Sequence, residues 1–568
     1  MPLSKAWQLY PANPEKQKLL SEALGISRIT AQILVNRGVE NLESAQIFLS
    51  PSLKNLPSPF LIPNMDLGVR RVMEAIQKKE SITIYGDYDV DGLTATALLA
   101  TFFKEIGVDV TTYIPDRVKE GYGLQAPALK SLQAKGVSLV ITADCGTKSH
   151  TALLEAKNIG LDVIVTDHHE LDATPPPAFA FINPQLLPKG SPEQNLAGVG
   201  VAFFLIMALR QKMREEKFFT QGEPNLKQHL DLVAMGTIGD MVPLTGINRI
   251  LVRFGLQELS QTKKPGLIAL KEISGLALET EIDCSDVGFR LAPKINAGGR
   301  ISKASLGLDL LCSTDLERAA KLAKILDQCN QDRQTMQEKQ VKQAIQQVGE
   351  KKSLTGLVVA SPDWHPGIVG LIASKLTEKF YTPSIALSLS GELARGSARS
   401  ISGLHIVEIL VECKDLLEQF GGHASAAGLT LKTAQIKNFE ERFANVLERK
   451  MAENPFTPTL RVDCELQLLE IHDKLLEEIQ TLKPFGIKNP EPVFLSRQLQ
   501  FQDMRVVGEK HLKFKVSDNF TQLNAIAFNM VDSHPQTPEK GDVAFVPQWN
   551  TYQDKTTIQL KVKDLKKS

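Results

Sequence analysis

Three apolar runs, each closing on an acid, constrain this chain more than any other feature. Ile82-Thr83-Ile84-Tyr85-Gly86 leads into Asp87-Tyr88-Asp89-Val90-Asp91-Gly92. Residues 139–143 lead into Asp144-Cys145-Gly146, and residues 161–165 into Thr166-Asp167-His168-His169-Glu170. Near-continuous apolar runs of this length suit strands buried on both faces, as in a parallel sheet. Helical patterns at 92–104, 126–134 and 151–157 separate them, with further strand patterns at 108–114 and 178–182. This rhythm predicts a doubly wound α/β sheet. In such a sheet the carboxyl ends of the strands share one crevice, where ligands bind. A fourth acid, Asp240, closes the apolar helix pattern at 229–235 through Gly236-Thr237-Ile238-Gly239.

Asp and His donors without thiolates favour hard or borderline divalent ions, Mg²⁺ or Mn²⁺. Asp89, Asp91, Asp144, Asp167 and Asp240 are more carboxylates than one ion needs. Gathered without cations, some would have strongly raised pKa values. Two ions roughly 3.5–4 Å apart would neutralise them and suit in-line phosphoryl displacement. One histidine would then stand behind the ligands, assisting proton transfer or neutralising the phosphate. The plain alternatives are a calcium loop for the Asp-x-Asp-x-Asp-Gly run and a helix cap for Asp144. No distal Glu or flanking helices complete an EF-hand, and four motifs together make coincidence a poor explanation.

With 568 residues, 43 % of them apolar, several domains are expected. A helical lead-in and proline-broken connector occupy 1–75, the acid-bearing α/β domain 76–265, and a linker with a long helix 266–350. A second α/β domain follows at 351–455. Short strand patterns at 501–507, 512–516, 524–528, 542–547 and 556–562 place a small barrel of the OB type within 456–568. Lys plus Arg equals Asp plus Glu at 65 each, so any polyanion site must be a local basic groove. The six cysteines, Cys145, Cys284, Cys312, Cys329, Cys413 and Cys464, form no CxxC pair. They point to a reducing compartment without structural zinc. With no signal pattern and no membrane-length apolar run, a cytoplasmic protein is expected.

The motifs Asp89-Val90-Asp91-Gly92, Asp144-Cys145-Gly146, Asp167-His168-His169 and Gly239-Asp240 resemble the four ordered motifs of the DHH phosphoesterases. Gly421-Gly422-His423 with Ala426-Ala427-Gly428 resembles the signature of the DHHA1 domain that accompanies them. With the C-terminal β-domain, the layout from about residue 70 onward is similar to the single-stranded-DNA exonucleases of that family. The resemblance implies a two-metal enzyme degrading single strands from the 5′ end in repair and recombination, beside single-strand-binding protein and a helicase. It implies Asp89, Asp91, Asp144, His168 and Asp240 as ligands, with Asp144 bridging and His169 beside the phosphate. Other branches carry a histidine where this chain has Tyr85, so Asp87 or water would complete that shell. Asp167 would act with Asp144 and His169, either as a ligand or by orienting a histidine.

Arg117 follows the second strand pattern and should face the same crevice. Arg300 follows Gly298-Gly299, a pair able to bring backbone N–H groups close to a phosphate. Ser397 and Arg399 read as one small-residue loop, and His423 as following another. The second α/β domain would then wall a groove for the strand. Trp364, at a helix start, suits base stacking and burial equally, and Phe514, Phe528, Trp549 and Tyr552 of the last domain are candidate stacking residues with core packing as the plainer role. A competing reading keeps the chemistry but takes short oligonucleotides or cyclic dinucleotides. The long helix and the extra β-domain count against it, because a small substrate needs neither.

Overall fold

Five strands make one wholly parallel sheet: β1 (Ser81–Gly86), β2 (Val110–Tyr113), β3 (Val137–Ala143), β4 (Asp162–Thr166) and β5 (Ala180–Ile182). Their order is β2-β1-β3-β4-β5, so the direction of travel reverses between β1 and β3. Alternation sorts the side chains. Ile82, Ile84, Leu139, Ile141, Ile164 and Ile182 enter one core with α1 (Met65–Lys78), α2 (Val90–Glu105), α5 (Gly198–Glu215) and α6 (Leu230–Gly239). Tyr85, Val140, Val163, Val165 and Phe181 enter a second core with α3 (Ala126–Ala134) and α4 (His150–Asn158). Strands covered on both faces favour apolar residues on both, which is why β1, β3 and β4 read as near-continuous runs, whereas the edge strand β2 is half exposed. The computed structural model describes residues 5–117, 119–172, 174–220, 222–349, 355–453, 456–531, 539–553 and 555–567.

The chain divides into two units. One comprises Ile47–Arg333 and Lys483–Pro490, and holds the parallel sheet. The other comprises Met1–Gln46, Gln334–Leu482 and Glu491–Ser568. The division falls within the helix Leu316–Gly349, whose expected last residue, Glu350, lies outside the described residues.

The second unit contains a mixed sheet of β6 (Leu357–Ser361), β7 (Ser384–Ser390), β8 (Leu393–Arg399), β9 (Gln419–His423) and β10 (Ala426–Lys432), ordered β9-β10-β8-β7-β6. Only β6 and β7 run parallel. Phe439 and Phe443 of the helix Ile436–Glu453 close its core. A short helix, Ile406–Val411, and a single turn at Lys414–Leu416 lead into β9. Beyond it, β11 (Phe494–Val507), β12 (His511–Ser517), β13 (Gln522–Ala527), β14 (Lys540–Tyr552) and β15 (Lys555–Lys567) form a closed barrel. The ring runs β11-β12-β13-β15-β14 and closes through β14 on β11. Register shifts at Gln502/Arg505, Ser496/Leu499 and Ala544/Phe545 bend the strands enough to close it. Phe494, Phe514 and Phe545 fill the interior.

The lead-in opens with a strand the sequence did not suggest. Ala6–Leu9 pairs in parallel with Thr459–Val462, and Trp7 Nε1 donates to Asp564 at 2.7 Å. A buried ion pair, Arg37 Nη1 to Asp463 Oδ1 at 2.7 Å, ties the same segment down.

Gly255, inside the helix Gly246–Ser260, lies where that helix crosses α6. A Cβ there would overlap the Leu230 carbonyl oxygen and stand 2.6 Å from Ala234 Cβ. Backbone cannot yield as a side chain tip can. Gly255→Ala is therefore expected to destabilise by about 1–3 kcal/mol, although Ala is the better helix former. A urea midpoint equal to or above wild type would contradict this.

Candidate metal centre

Each acid-bearing strand continues its ladder by one hydrogen bond beyond its end. Asp87 N donates to Ala143 O at 3.1 Å, Asp144 N to Thr166 O at 3.0 Å, and Asp167 N to Ile182 O at 3.2 Å. The three carboxylates thus emerge side by side from β1, β3 and β4, at the place where strand order reverses. Asp144 sits at φ 65°, in the left-handed region that Asp tolerates better than most residues. Gly198 lies against it, where a Cβ would come within 2.5 Å of Asp144 Oδ1.

The acids are fixed by different means. Asp89 caps α2, its Oδ1 accepting from Asp91 N at 2.9 Å and Gly92 N at 3.2 Å. Asp91 accepts from the first two N–H groups of α5, Gly198 at 2.7 Å and Val199 at 2.8 Å. Asp167 is fully buried; its carboxylate takes the N–H groups of Thr147, His168 and His169 and the His169 Nδ1 at 2.7 Å. Asp144 caps no helix; α4 begins after Ser149 instead. Asp144 Oδ1 and Asp87 Oδ1 are buried and accept no hydrogen bond among the described residues. His168 Nε2 stands 3.2 Å from Asp144 Oδ1, 3.5 Å from Asp240 Oδ2 and 3.9 Å from Asp91 Oδ2.

Three groups of ligand atoms lie close enough to hold an ion: Asp87, Asp89 and Asp144; Asp91, His168 and Asp240; and Asp144, His168 and His169. Asp144 belongs to two of them. Burial, then repulsion from Asp91, Asp89 and Asp240, pushes Asp144 well above the usual carboxylate range. Burial and Asp89 do the same to Asp87, push Asp91 to about 7 and, together with Asp91, push Asp240 to about 9. Asp167 goes the other way. Burial alone would raise it, but His169 and the Thr147 N–H hold it far below its ordinary value. Oxygen atoms aimed inward, mutually repelling and without donors, fit divalent cations. Cys145 does not join them: its thiol donates to Tyr85 O at 3.7 Å. Tyr85 is buried in the opposite core with its hydroxyl on Gly123 O, and Asp87 rather than Tyr85 stands in the cluster.

Arg117 and Arg300 both approach Tyr88. The Arg117 guanidinium lies 4.9 Å from the ring centre, and both charges act on the Tyr88 hydroxyl. Gly298-Gly299 is not a phosphate loop: it lies inside the helix Ala292–Ile301, where Gly298 packs on Lys303 O and Gly299 on Tyr88 O. Glycine reads as a breaker, yet here it lets a helix approach backbone closely. Ser397 and Arg399 stand on β8 and His423 on β9, not on loops. Register sets Arg399, Ala426 and His423 side by side across three strands, and Arg399 Nη1 donates to Ser397 Oγ at 2.7 Å. These three belong to one unit, and Arg117 and Arg300 to the other. Trp364 and Phe514 are core residues, and Trp364 Nε1 bonds Gln343. Trp549 Nε1 bonds Asp473, while Phe528 and Tyr552 are exposed.

Several residues escaped the sequence reading. Asn296 Oδ1 accepts from Val90 N at 2.8 Å and so holds the first acidic loop. Asn183 ends β5 as the acids end their strands, and its Nδ2 donates to Thr147 Oγ1 and His169 O, both at 3.0 Å. That repeated polar residue after a strand was a usable signal. Tyr122, whose hydroxyl is 3.1 Å from His169 Nδ1, had none.

Family models match three stretches: the DHH family N-terminal domain at 81–237, the DHHA1 domain at 353–452 and the RecJ OB domain at 462–564. The single-stranded-DNA-specific exonuclease RecJ of Bacillus subtilis is 37 % identical over 566 residues, 98 % of this chain and 70 % of that protein. The crystal structure of RecJ from Thermus thermophilus with Mn²⁺ superposes with a TM-score of 0.86 at 29 % identity, over 99 % of this chain and 80 % of that one. Its Mg²⁺ complex gives 0.80 at 28 % identity, over 99 % and 78 %.

Asp144→Asn tests the shared position. Asn offers one neutral oxygen and cannot offset two dications. The variant is expected to bind at least one Mn²⁺ fewer per chain, measured by equilibrium dialysis. Saturation at 100 times Kd stabilises wild type by about 2.7 kcal/mol, and the variant should gain less. Without metal, at pH above the ordinary carboxylate pKa, the variant should resist urea better than wild type, because folding no longer has to bury that charge or protonate it. Unchanged stoichiometry in the folded variant would show that Asp144 is not shared between ions.

Proposed function

The chain belongs to the RecJ family of single-stranded-DNA-specific exonucleases, and from that premise we propose that it removes nucleotides from the 5′ end of single strands at a two-ion centre. The observation that carries the reading is the place of Asp144, at the switch point of the sheet, in the group with Asp87 and Asp89 and again beside His168, which also belongs to the group with Asp91 and Asp240. In this reading Asp87 and Asp89 hold one Mn²⁺ or Mg²⁺, Asp91, His168 and Asp240 hold the other, and Asp144 serves both. Such ions, when bound, would polarise the scissile phosphate and make an attacking water more acidic.

The chain's own groups do the remaining work. Asp167 accepts the Nδ1 proton of His169 and so fixes that ring, whose Nε2, 3.3 Å from the Tyr122 hydroxyl, is the nitrogen assigned to a phosphate oxygen. Gly198 and Val199 hold Asp91 through backbone, which keeps a ligand from drifting. Arg117 and Arg300, gathered around Tyr88, hold the 5′ phosphate, while Ser397, Arg399 and His423, side by side on the second unit's own sheet, are contacts for the strand. A fixed 5′ phosphate sets the distance to the bond that breaks, and hence the end from which cleavage begins. Strands opened by a helicase and coated by single-strand-binding protein in the cytoplasm are the setting we infer. Among the described residues no helix is long and apolar enough to cross a membrane.

The test uses strands labelled at either end, a blunt duplex and a dinucleotide, each with Mn²⁺, Mg²⁺ or EDTA. Mononucleotides should leave the 5′ end of single strands, blunt duplex should react far more slowly, and EDTA should abolish turnover. Arg300→Ala should weaken 5′-phosphorylated ends more than internal segments, by roughly 10-fold or more. Equal rates on duplex, release from the 3′ end or turnover in EDTA would each overturn this reading.

A further inference from the structure

Phe289 is 83 % exposed, an unusual state for a phenylalanine on a helix that packs against the catalytic loops. The cause is local. Pro293 has no N–H to give the Phe289 carbonyl four residues back, and its ring crowds that oxygen. The helix answers with a π turn over Val287–Leu291, in which Ala292 N–H bonds Val287 O instead. Such widened turns recur at functional sites. Beside it, a Cβ added at Gly288 would meet nothing within 4 Å, so this face is open.

The same helix passes the metal centre in a fixed order. At its far end Arg300 acts on Tyr88, and Gly299 packs on the Tyr88 carbonyl. One turn earlier Asn296 holds Val90 N. A further turn earlier Ala292 lies against Gly239, where a Cβ would be 3.6 Å away, next to Asp240. Phe289 comes next, roughly 16 Å along the axis from Arg300 at 1.5 Å per residue. Met241, directly after Asp240, is also exposed, at φ 62°. The helix is thus a ruler with a 5′-phosphate residue at one end, the ligand-bearing loops at its middle and an uncovered ring at the other.

We propose that Phe289 is a stacking platform for a base on the 3′ side of the scissile phosphate, so that the strand is gripped at Arg300 and at Phe289 with the metal centre between. The inference rests on the reading of the chain as a single-stranded-DNA exonuclease whose 5′ end lies at Arg300. The occupant is the substrate strand itself, because the ring is continuous with the site through one rigid helix. Stacking tolerates any base, as a general exonuclease requires. It also demands an unpaired base, which adds a reason for duplex to react poorly.

The experiment is single-turnover release of the first nucleotide from 5′-phosphorylated strands, with one abasic position moved stepwise from the 5′ end. In wild type, an abasic site one to three nucleotides beyond the scissile phosphate should weaken binding about 10-fold. Phe289→Ala should lose a similar factor on the intact strand and become indifferent to that abasic site, which is the signature of direct coupling. Phe289→Trp should restore affinity and Phe289→Leu should not. The ring is exposed, so these variants leave the core alone. Additive losses, rescue by Leu as good as by Trp, or Phe289→Ala binding like wild type would each overturn the platform while leaving the exonuclease standing. A wild-type chain that releases nothing from any single strand would overturn both.

Discussion

Mutual repulsion among closely gathered carboxylates governs the α/β unit. Asp87, Asp91 and Asp144 are buried at the edge of one crevice, with Asp89 and Asp240 beside them. Left to themselves such groups would spread apart or take up protons. The backbone prevents the first. One ladder bond beyond each strand fixes Asp87, Asp144 and Asp167 in a row, and the N-terminus of α5 holds Asp91. Helix N-termini suit this work, since their free N–H groups and dipole favour negative charge. The carboxylate oxygens left without hydrogen bonds among the described residues, Asp87 Oδ1 and Asp144 Oδ1, belong to one group of candidate ligands.

Close backbone approach is the second half of that arrangement. Gly198 meets Asp144, Gly299 meets Tyr88 and Gly239 meets Val90, each without room for a Cβ. Three separate helices thereby press on the acidic loops with nothing between. The loops gain their rigidity from packing rather than from their own hydrogen bonds alone. A site held so closely loses geometry through small substitutions that bring no new charge.

The sheet was legible because its inner strands bury both faces, so three apolar runs announced themselves, while the half-exposed edge strand Val110–Tyr113 gave a weaker pattern. The acids were legible because a carboxylate directly after a buried strand has few structural uses. Asp89 shows the limit: it is a helix cap and a member of a ligand group together, and sequence cannot separate the two. Ser397, Arg399 and His423 read as loop residues because their neighbours are Gly, Ala and Ser. They lie in strands because cross-strand partners supply the bonds that local sequence does not advertise. Asn296 and Gly198 act through contacts about a hundred or more positions away in the chain, for which periodicity carries no signal. The strand Ala6–Leu9 was hidden for the same reason, its partner lying some 450 residues onward.

That last pairing has a consequence for biosynthesis. A ribosome adding about 5–20 residues per second delivers Ala6–Leu9 roughly half a minute to a minute and a half before Thr459–Val462 exists. Throughout that interval the nascent chain carries Trp7 and the Arg37 guanidinium without Asp564 and Asp463, their mates in the finished fold. Nearly all of the α/β unit, by contrast, has emerged once residue 333 is out. The order of assembly is therefore centre first and ends last, and a premature stop ahead of Thr459 leaves the amino terminus without its strand partner and its ion pair as well as removing the barrel.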